Sequence, residues 1–279
     1  MTTLNDEQLL ARIVDTLAPL PGIRAVVLGG SRARGTATPE SDYDIGLYYD
    51  SQAPFEHAAL SRAAATLDDA GAMVTPIGDW GPWIDGGGWL TIGGARVDLL
   101  YRNIERVRAV IDDCHAGRIE VAYQPGHPHA FVSAIYMGEV AQCRMLSDMD
   151  GLLAGLVART SAYPSALRAA LLQRFGWEAS FALANARKSL DRGDVNYVAG
   201  CAFRAVACLC QTLFALNGRY LINEKGAVSV VDGLGHRPAR FAARVAAAFR
   251  DIGTGADAAG LDGLDALASE TATLADPAR

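Results

Sequence analysis

Residues 28–48 read LGGSRARGTATPESDYDIGLY. An apolar strand pattern ends at Leu28, a turn of small residues follows at Gly29-Gly30-Ser31, and Asp42 and Asp44 stand at the head of a second apolar run. Because side chains alternate along a strand, the two aspartates are expected on the same face. Neighbouring carboxylates repel each other unless a cation lies between them, and an all-oxygen pair suits Mg²⁺.

The turn at Gly29-Gly30-Ser31 predicts a phosphate site next to this pair. Glycine lets the backbone approach a ligand closely and adopt positive φ. A helix is expected to begin at Ser31, and exposed N–H groups at such a start favour phosphate. A phosphate cradle and a carboxylate pair are therefore predicted on neighbouring strand ends.

The order of strand, Gly-Ser, about ten residues and Asp-x-Asp resembles the nucleotidyltransferase superfamily typified by DNA polymerase β. Its character is similar to the bacterial small-molecule, or antibiotic, nucleotidyltransferases. The resemblance predicts a third carboxylate on a later strand, and Asp98 in the run Ala95–Tyr101 meets this expectation. Gly93-Gly94 predicts that this run forms a hairpin with Trp89–Ile92. Tyr43 departs from the small aliphatic residue that is usual between the two aspartates.

The resemblance implies transfer of a nucleoside monophosphate, AMP from ATP, to an acceptor hydroxyl with release of pyrophosphate; GTP or CTP is an alternative donor. It implies two Mg²⁺ ions held by three residues that are also the catalytic ones, Asp42, Asp44 and Asp98. It also implies nucleotide binding by Gly30, Ser31, Arg32, Arg34 and Lys225. In the alternative interpretation, Asp42 caps a turn, Asp44 is a solvated strand residue and Asp98 is a charge at the edge of the sheet.

A general base is a further requirement of this chemistry. Glu120, Glu139 and Glu178 are candidates, and each is alternatively a surface glutamate. Asp98 is a fourth candidate, although a carboxylate that binds a metal is a poor proton acceptor. The loop around His127 and His129 is a further candidate for metal binding or substrate contact, or is simply a rigid loop, because its prolines interrupt regular structure.

The pattern of the whole chain predicts an α+β fold with two domains. Residues 1–145 are predicted to form the nucleotidyltransferase catalytic domain, a small mixed sheet flanked by helices, and residues 146–279 an all-α helical bundle. A short strand is predicted at Met73–Ile77. Helices are predicted from Asn5 or Asp6 to Leu17 and at Phe55–Ala70, Ile104–His115, Leu152–Arg159, Pro164–Arg192, Asp194–Asn217, Pro238–Asp251 and Leu261–Leu274.

The amino-acid composition limits the kinds of partner and the cellular compartment that we expect for this protein. The 279 residues are 51% hydrophobic, which supports a full core, and carry a net charge of −6, which disfavours a nucleic-acid partner. No apolar run is expected to span a bilayer, and the polar, acidic N-terminus predicts no secretory signal. Five cysteines without zinc spacing predict a reduced, cytoplasmic protein. The expected state is a monomer or a homodimer.

These observations lead to one expected function and two alternatives. The expected partners are a nucleoside triphosphate and a small hydroxyl acceptor such as an aminoglycoside-like or lincosamide-like antibiotic, which implies antibiotic resistance. The acidic balance favours a cationic acceptor, and Trp80, Trp83 and Trp89 are expected near the site. The alternatives are a toxin-like enzyme that modifies a protein or tRNA, and a nucleotide-binding protein without turnover.

Overall fold

Seven strands and twelve α-helices form in the part of the chain that the computed structural model describes, residues 5–276. The strands are β1 Ile23–Leu28, β2 Tyr43–Tyr49, β3 Gly87–Ile92, β4 Ala95–Asn103, β5 Val121–Ala122, β6 Phe131–Val132 and β7 Arg144–Asp148. The helices are α1 Asp6–Leu17, α2 Gly30–Ala33, α3 His57–Leu67, α4 Ile104–His115, α5 Ile135–Gln142, α6 Leu152–Arg159, α7 Ser165–Phe175, α8 Glu178–Arg187, α9 Val195–Leu216, α10 Ala227–Val231, α11 Phe241–Gly253 and α12 Asp257–Ala275. Residues 1–4, from which the absence of a signal was partly predicted, lie outside this range.

Five strands form one mixed sheet in the order β3-β4-β2-β1-β7. β2 and β4 run parallel, while the other neighbours are antiparallel. One face is apolar because alternate residues of β2, such as Tyr43, Ile45 and Leu47, pack with α1 and α3 into the core. The opposite face at the start of β2 is left for Asp44. The predicted α+β class is confirmed.

Local signals placed several elements correctly. Asn5 caps α1 through a capping box with Gln8, and α1 ends at Leu17 as predicted. α4 and α6 have the predicted bounds, and β3 and β4 form the predicted antiparallel hairpin. These elements share strong periodicity and clear flanking turns, which are the features that sequence alone carries best.

The predicted strand at Met73–Ile77 is wrong. This segment instead lies along the free edge of β3, where Thr75 N–H donates to the Gly87 carbonyl at 2.8 Å. Pro76 has no N–H to continue a ladder. The contact therefore covers the edge without forming a regular strand.

The predicted single helix over Pro164–Arg192 is also wrong in its continuity. It divides into α7 and α8 around Gly176, and a 3₁₀ turn follows at Leu190–Arg192. Glycine is the weakest helix former apart from proline, which accounts for the interruption of the helix at Gly176-Trp177. The apolar residues on both sides keep a helical spacing, which hides the break in a periodicity count.

The described chain divides into two compact units. The first comprises residues up to 112, 123–126 and 136–162, and the second comprises 113–122, 127–135 and 163 onward. The first holds the five-stranded sheet, and the second holds the small β5–β6 sheet and the helices from α7 onward. The predicted domain boundary at residues 145/146 falls within β7, and the division into a catalytic and a helical domain stays a prediction.

Within residues 5–276, α9 is the one helix long and apolar enough to cross a membrane by length and composition. The sequence analysis expected no apolar run of this length and so did not predict this property of α9. Of its most apolar window, 72% is buried inside the protein. Such burial is what the central helix of a packed bundle shows, and α9 packs against α7, α8, α11 and α12.

Candidate active site

A row of four residues crosses the sheet on the face opposite the apolar core. Gly29 N–H donates to the Asp44 carbonyl at 2.7 Å. Asp44 lies in register with Asp98 on β4, and Asp98 lies in register with Trp89 on β3. Adjacent strands lie about 4.8 Å apart, so each residue is a direct neighbour of the next. The sheet thus brings Asp44 and Asp98 together as the sequence predicted from separate motifs.

The backbone at Gly30 approaches the Asp44 carboxylate closely. Its φ is +62°, and a Cβ built on it would overlap Asp44 Oδ2. No other residue type fits here without moving the Asp44 side chain, because any L-residue adds the Cβ. The glycine turn and the carboxylate therefore form one local unit. Ser31 follows in the four-residue α2, where first-turn N–H groups have no intrahelical acceptor.

Asp42 pairs with an arginine on β4. Its Oδ1 accepts a short hydrogen bond from Arg96 Nε, and Arg96 Nη2 donates to the Glu40 carbonyl at 2.6 Å. Arg96 stands two residues before Asp98, on the same face of β4, and thus opposite Asp42. Among residues 5–276, no group of three or more His, Cys, Asp or Glu side chains is arranged to hold a metal ion.

Arg32 and Arg34, both predicted to bind the nucleotide, have different surroundings. Arg32 donates to the Ser41 carbonyl at 2.8 and 3.1 Å and lies 3.7 Å above the Tyr43 ring. It also pairs with Asp6 at 3.2 Å, and Asp6 accepts from Tyr43 Oη at 2.6 Å. Burial first, and then the Asp6 contact, raises the pKa of Tyr43 to about 12. Arg32 therefore fastens the loop before β2 to α1, whereas Arg34 is exposed.

The candidate general bases are placed as follows. Glu139 forms a two-point ion pair with Arg102, with both N–O distances at 2.7 Å. Glu178 is held by Arg174 and Arg204. Two of the three carboxylates are thus already engaged by guanidinium groups, which hold them in place. Glu120 is exposed.

Residues 127–130 are fastened by an ion-pair network in the second unit. Glu224 Oε1 accepts from the His129 N–H at 3.0 Å, and its Oε2 lies 3.3 Å from His127 Nδ1. Arg204 donates to both the carbonyl and Nδ1 of His129, each at 3.1 Å. Burial, followed by the charge of Arg204, lowers the pKa of His129 to about 4. The network fixes the loop, and the contacts support a structural role rather than metal binding.

Lys225 belongs to the same unit and is exposed, and its N–H donates to Asn223 Oδ1 at 2.9 Å. Its predicted contact with the triphosphate stays a prediction. The sequence reasoning did not anticipate Arg96 as a partner of Asp42. The signal was present, because Arg96 stands two residues before Asp98 and must share its face.

Two protein-family models match parts of this chain, and one solved structure aligns with most of it. Residues 8–113 match the family model of the nucleotidyltransferase domain, and residues 132–225 match a domain of unknown function, DUF4037. A crystal structure of a nucleotidyltransferase-like protein from Exiguobacterium sibiricum 255-15 aligns at 12% identity with a TM-score of 0.44, covering 97% of this chain and 77% of that one. No curated protein matches the chain. The family match thus supports a nucleotidyltransferase domain over residues 8–113, and nucleotidyl transfer as the general class of activity of such a domain.

Proposed function

We propose that this protein transfers a nucleoside monophosphate, AMP from ATP, to a hydroxyl group of a small molecule. The observation that carries the proposal is the alignment of Asp44 and Asp98 on adjacent parallel strands beside the close approach of Gly30. The acceptor oxygen forms a bond to the α-phosphorus, the bond from that phosphorus to the bridging oxygen breaks, and pyrophosphate leaves. The acceptor's proton passes to a base or to water.

The residues present fit a hard cation. Nucleotidyltransferase domains generally use a nucleoside triphosphate and a divalent metal. Asp44 and Asp98 lie on adjacent strands and offer only carboxylate oxygens, the donors that Mg²⁺ prefers. Gly30, which has no side chain, leaves room for the Asp44 carboxylate. When bound, such an ion neutralises charge on the phosphates and on the attacking and leaving oxygens. Asp42 would join this set after Arg96 releases its carboxylate.

The chain's own residues position the two substrates. The turn at Gly29-Gly30-Ser31 would hold the β- and γ-phosphates through backbone N–H groups and the Ser31 hydroxyl. Gly29 N–H is already used by Asp44, so Gly30 and Ser31 supply the donors. Asp98, on the far side of Asp44 from this turn, would face the acceptor hydroxyl. This arrangement separates the leaving group from the attacking one, as an in-line displacement requires.

Pyrophosphate release tests the proposal. We expect wild-type protein with ATP and Mg²⁺ to release pyrophosphate only when an acceptor from a panel of aminoglycosides and lincosamides is present. Asp44→Asn should reduce this rate by roughly a hundredfold or more, because it removes a charge that acts in the transition state. The exposed Asp15→Asn is the matched control and should leave the rate unchanged.

Acceptor-dependent release that survives in Asp44→Asn would overturn the assignment of Asp44. Release from wild type with no small acceptor, but with protein or tRNA substrates, would instead support the toxin-like alternative. Tight ATP binding without release for any acceptor would support a protein that binds nucleotide without turnover.

The ion pair between Arg96 and Asp42 makes a separate prediction. Replacing Arg96 by Met should lower the Mg²⁺ concentration that gives half-maximal rate by about two- to fivefold, because exposed ion pairs contribute about 0.2–1 kcal/mol. Arg118→Met is the control: Arg118 is 66% exposed, pairs with Asp113, and lies in the second unit, while Arg96 is 65% exposed. Equal Mg²⁺ dependence in both variants would show that Asp42 takes no part.

A further inference from the structure

A cavity of about 880 Å³ lies in the first unit, on the face of the sheet that packs against α1. It is enclosed by the start of α1, the loop between α2 and β2, and the turn between β3 and β4. Tyr43 lines it and alternates with Asp44 along β2, so the cavity and the Asp44 carboxylate lie on opposite faces of the sheet. A volume of this size accommodates a small organic molecule.

Much of the lining is apolar. Leu9, Tyr43 and Ile92 line the cavity and also belong to the hydrophobic core of the sheet. Ala37 and Pro39 add apolar side chains from the loop before β2. A molecule that fills this space removes apolar surface from water, at about 25 cal/mol per Å². The lining therefore favours an occupant with an apolar body.

The side-chain donors that line the cavity already have acceptors within the protein. Arg32 donates to the Ser41 carbonyl through Nε and Nη2, and its Nη1 lies 3.2 Å from Asp6 Oδ2. The Tyr43 hydroxyl donates to Asp6 Oδ1 at 2.6 Å. An anionic occupant would have to take these donors away from Asp6 and Ser41.

Backbone donors of the lining are engaged in the same way. The N–H groups of Gly93 and Gly94 donate to the Asp69 carboxylate at 2.9 and 2.8 Å. The Thr38 N–H donates to Ser41 Oγ at 2.9 Å. These contacts favour an occupant that brings its own hydrogen-bond donor.

Asp6 is the acceptor that such a donor would meet. Each of its oxygens accepts one hydrogen bond, whereas a carboxylate has about four acceptor positions. Its side chain is 67% exposed, while that of Arg32 is 14% exposed and lies against the Tyr43 ring. The more accessible of the two charges is thus the negative one, which favours a cation.

We propose that this cavity is a binding site for an amphiphilic ammonium ion, a molecule with one ammonium group and an apolar body. The ammonium group donates to Asp6, and the apolar body packs against Leu9 and Ile92. This inference does not depend on nucleotidyl transfer. Because the cavity lies on the opposite face of the sheet from Asp44 and Asp98, its occupant is neither the nucleotide nor the acceptor.

Calorimetric titration of the full chain without nucleotide tests the site. The probe is hexylammonium, and hexanoate, hexanol and ethylammonium replace in turn its charge, its ammonium group and its apolar length. We expect hexylammonium to bind with a Kd of about 1 mM or below. Each of the other three should bind about tenfold more weakly or not at all, since each lacks one of the two recognised features.

Two lining residues provide independent variants. Asp6→Asn should weaken hexylammonium about tenfold, and Asp15→Asn, at an exposed position on the same helix, is its matched control. Ala37→Trp should abolish binding by filling the cavity, and Ala37→Ser should retain it. The melting temperature of each variant checks that it is folded.

Asp44→Asn separates this site from the candidate active site and should bind hexylammonium as wild type does. The proposal is overturned if hexylammonium does not bind wild type, or if hexanoate, hexanol or ethylammonium binds as tightly. It is also overturned if folded Asp6→Asn and Ala37→Trp proteins keep the wild-type affinity. A loss in Asp44→Asn as large as that in Asp6→Asn would place the ammonium ion on the carboxylate face instead.

Discussion

At the scale of single residues, Gly30 and Gly35 share a backbone conformation and differ in what surrounds them. Their φ angles are +62° and +68°, and a Cβ would overlap Asp44 Oδ2 at Gly30 but would meet nothing within 4 Å at Gly35. Alanine at either position should cost about 1 kcal/mol of unfolding free energy from the left-handed conformation alone. Gly30→Ala should in addition abolish nucleotidyl transfer, because Asp44 must move.

Urea unfolding and pyrophosphate release, measured on both variants, check this prediction. The informative result is the difference between them, since the two share the conformational cost. An active Gly30→Ala protein would show that the position of the Asp44 carboxylate does not matter to the reaction.

Part of this site was predictable from the alternation of side chains between the two faces of a strand. Positions 42 and 44 alternate with the buried Tyr43, whereas Asp98 was suggested by the third carboxylate that the resemblance implies and by its place in a strand-like run. The alternation of side chains within one strand does not determine which residue lies opposite on the next strand. The register of β2 with β4 decides that Arg96 meets Asp42, and a register is a property of two distant segments.

At the scale of elements, α5 is attached to the sheet by a buried ion pair. Arg102 on β4 is 4% exposed, and Glu139 on α5 contacts its guanidinium at two points. Burial alone would lower the pKa of Arg102, but the Glu139 carboxylate more than offsets this and raises it. Glu139→Ala leaves a buried charge unpaired and should lower the free energy of unfolding by about 3 kcal/mol.

Glu270→Ala provides the comparison, because Glu270 forms a similar two-point pair with Arg244 at a more exposed position. It should cost less than about 1 kcal/mol. Chemical denaturation of the two variants at pH 7 measures the difference. Equal losses would mean that the Arg102 charge finds another partner or water when Glu139 is removed.

Helices and strands were predictable from the sequence where one pattern, such as hydrophobic periodicity, was strong. α4 has strong periodicity over Ile104–His115, and its bounds follow from the sequence. β7 does not: Arg144–Asp148 alternates neither polarity nor burial strongly, and it is a strand because β1 offers it a free edge. The strand forms because it pairs with β1, and its own residue pattern therefore could not predict it.

At the scale of the whole molecule, buried His129 makes stability depend on pH. Its folded pKa is about 4 against an ordinary value of 6.5. Between these values the unfolded chain binds a proton that the folded chain does not, so stability is lost as the pH falls through this window. From pH 7 to pH 5 the loss should be about 2 kcal/mol from this group.

The measurement is the free energy of unfolding in urea at pH 7 and pH 5 for wild type and His129→Gln. The variant cannot titrate at this position, so its loss over the same interval should be smaller by about that amount. His115→Gln, at an exposed position, should behave as wild type. Identical losses in all three proteins would place the acid sensitivity elsewhere.

The pairing of β1 with both β2 and β7 has a consequence for the chain while it is being synthesised. β1 ends at Leu28, but the strand that pairs with its outer edge, Arg144–Asp148, follows more than a hundred residues later in the sequence. At about 5–20 residues per second, on the order of ten seconds pass on the ribosome between the emergence of these two strands. During that time the nascent sheet exposes the N–H and C=O groups of an apolar strand, which invites pairing with other chains. Fragments that stop at residue 113 would keep this edge open permanently, so expression of the isolated first segment should favour aggregates over a folded domain.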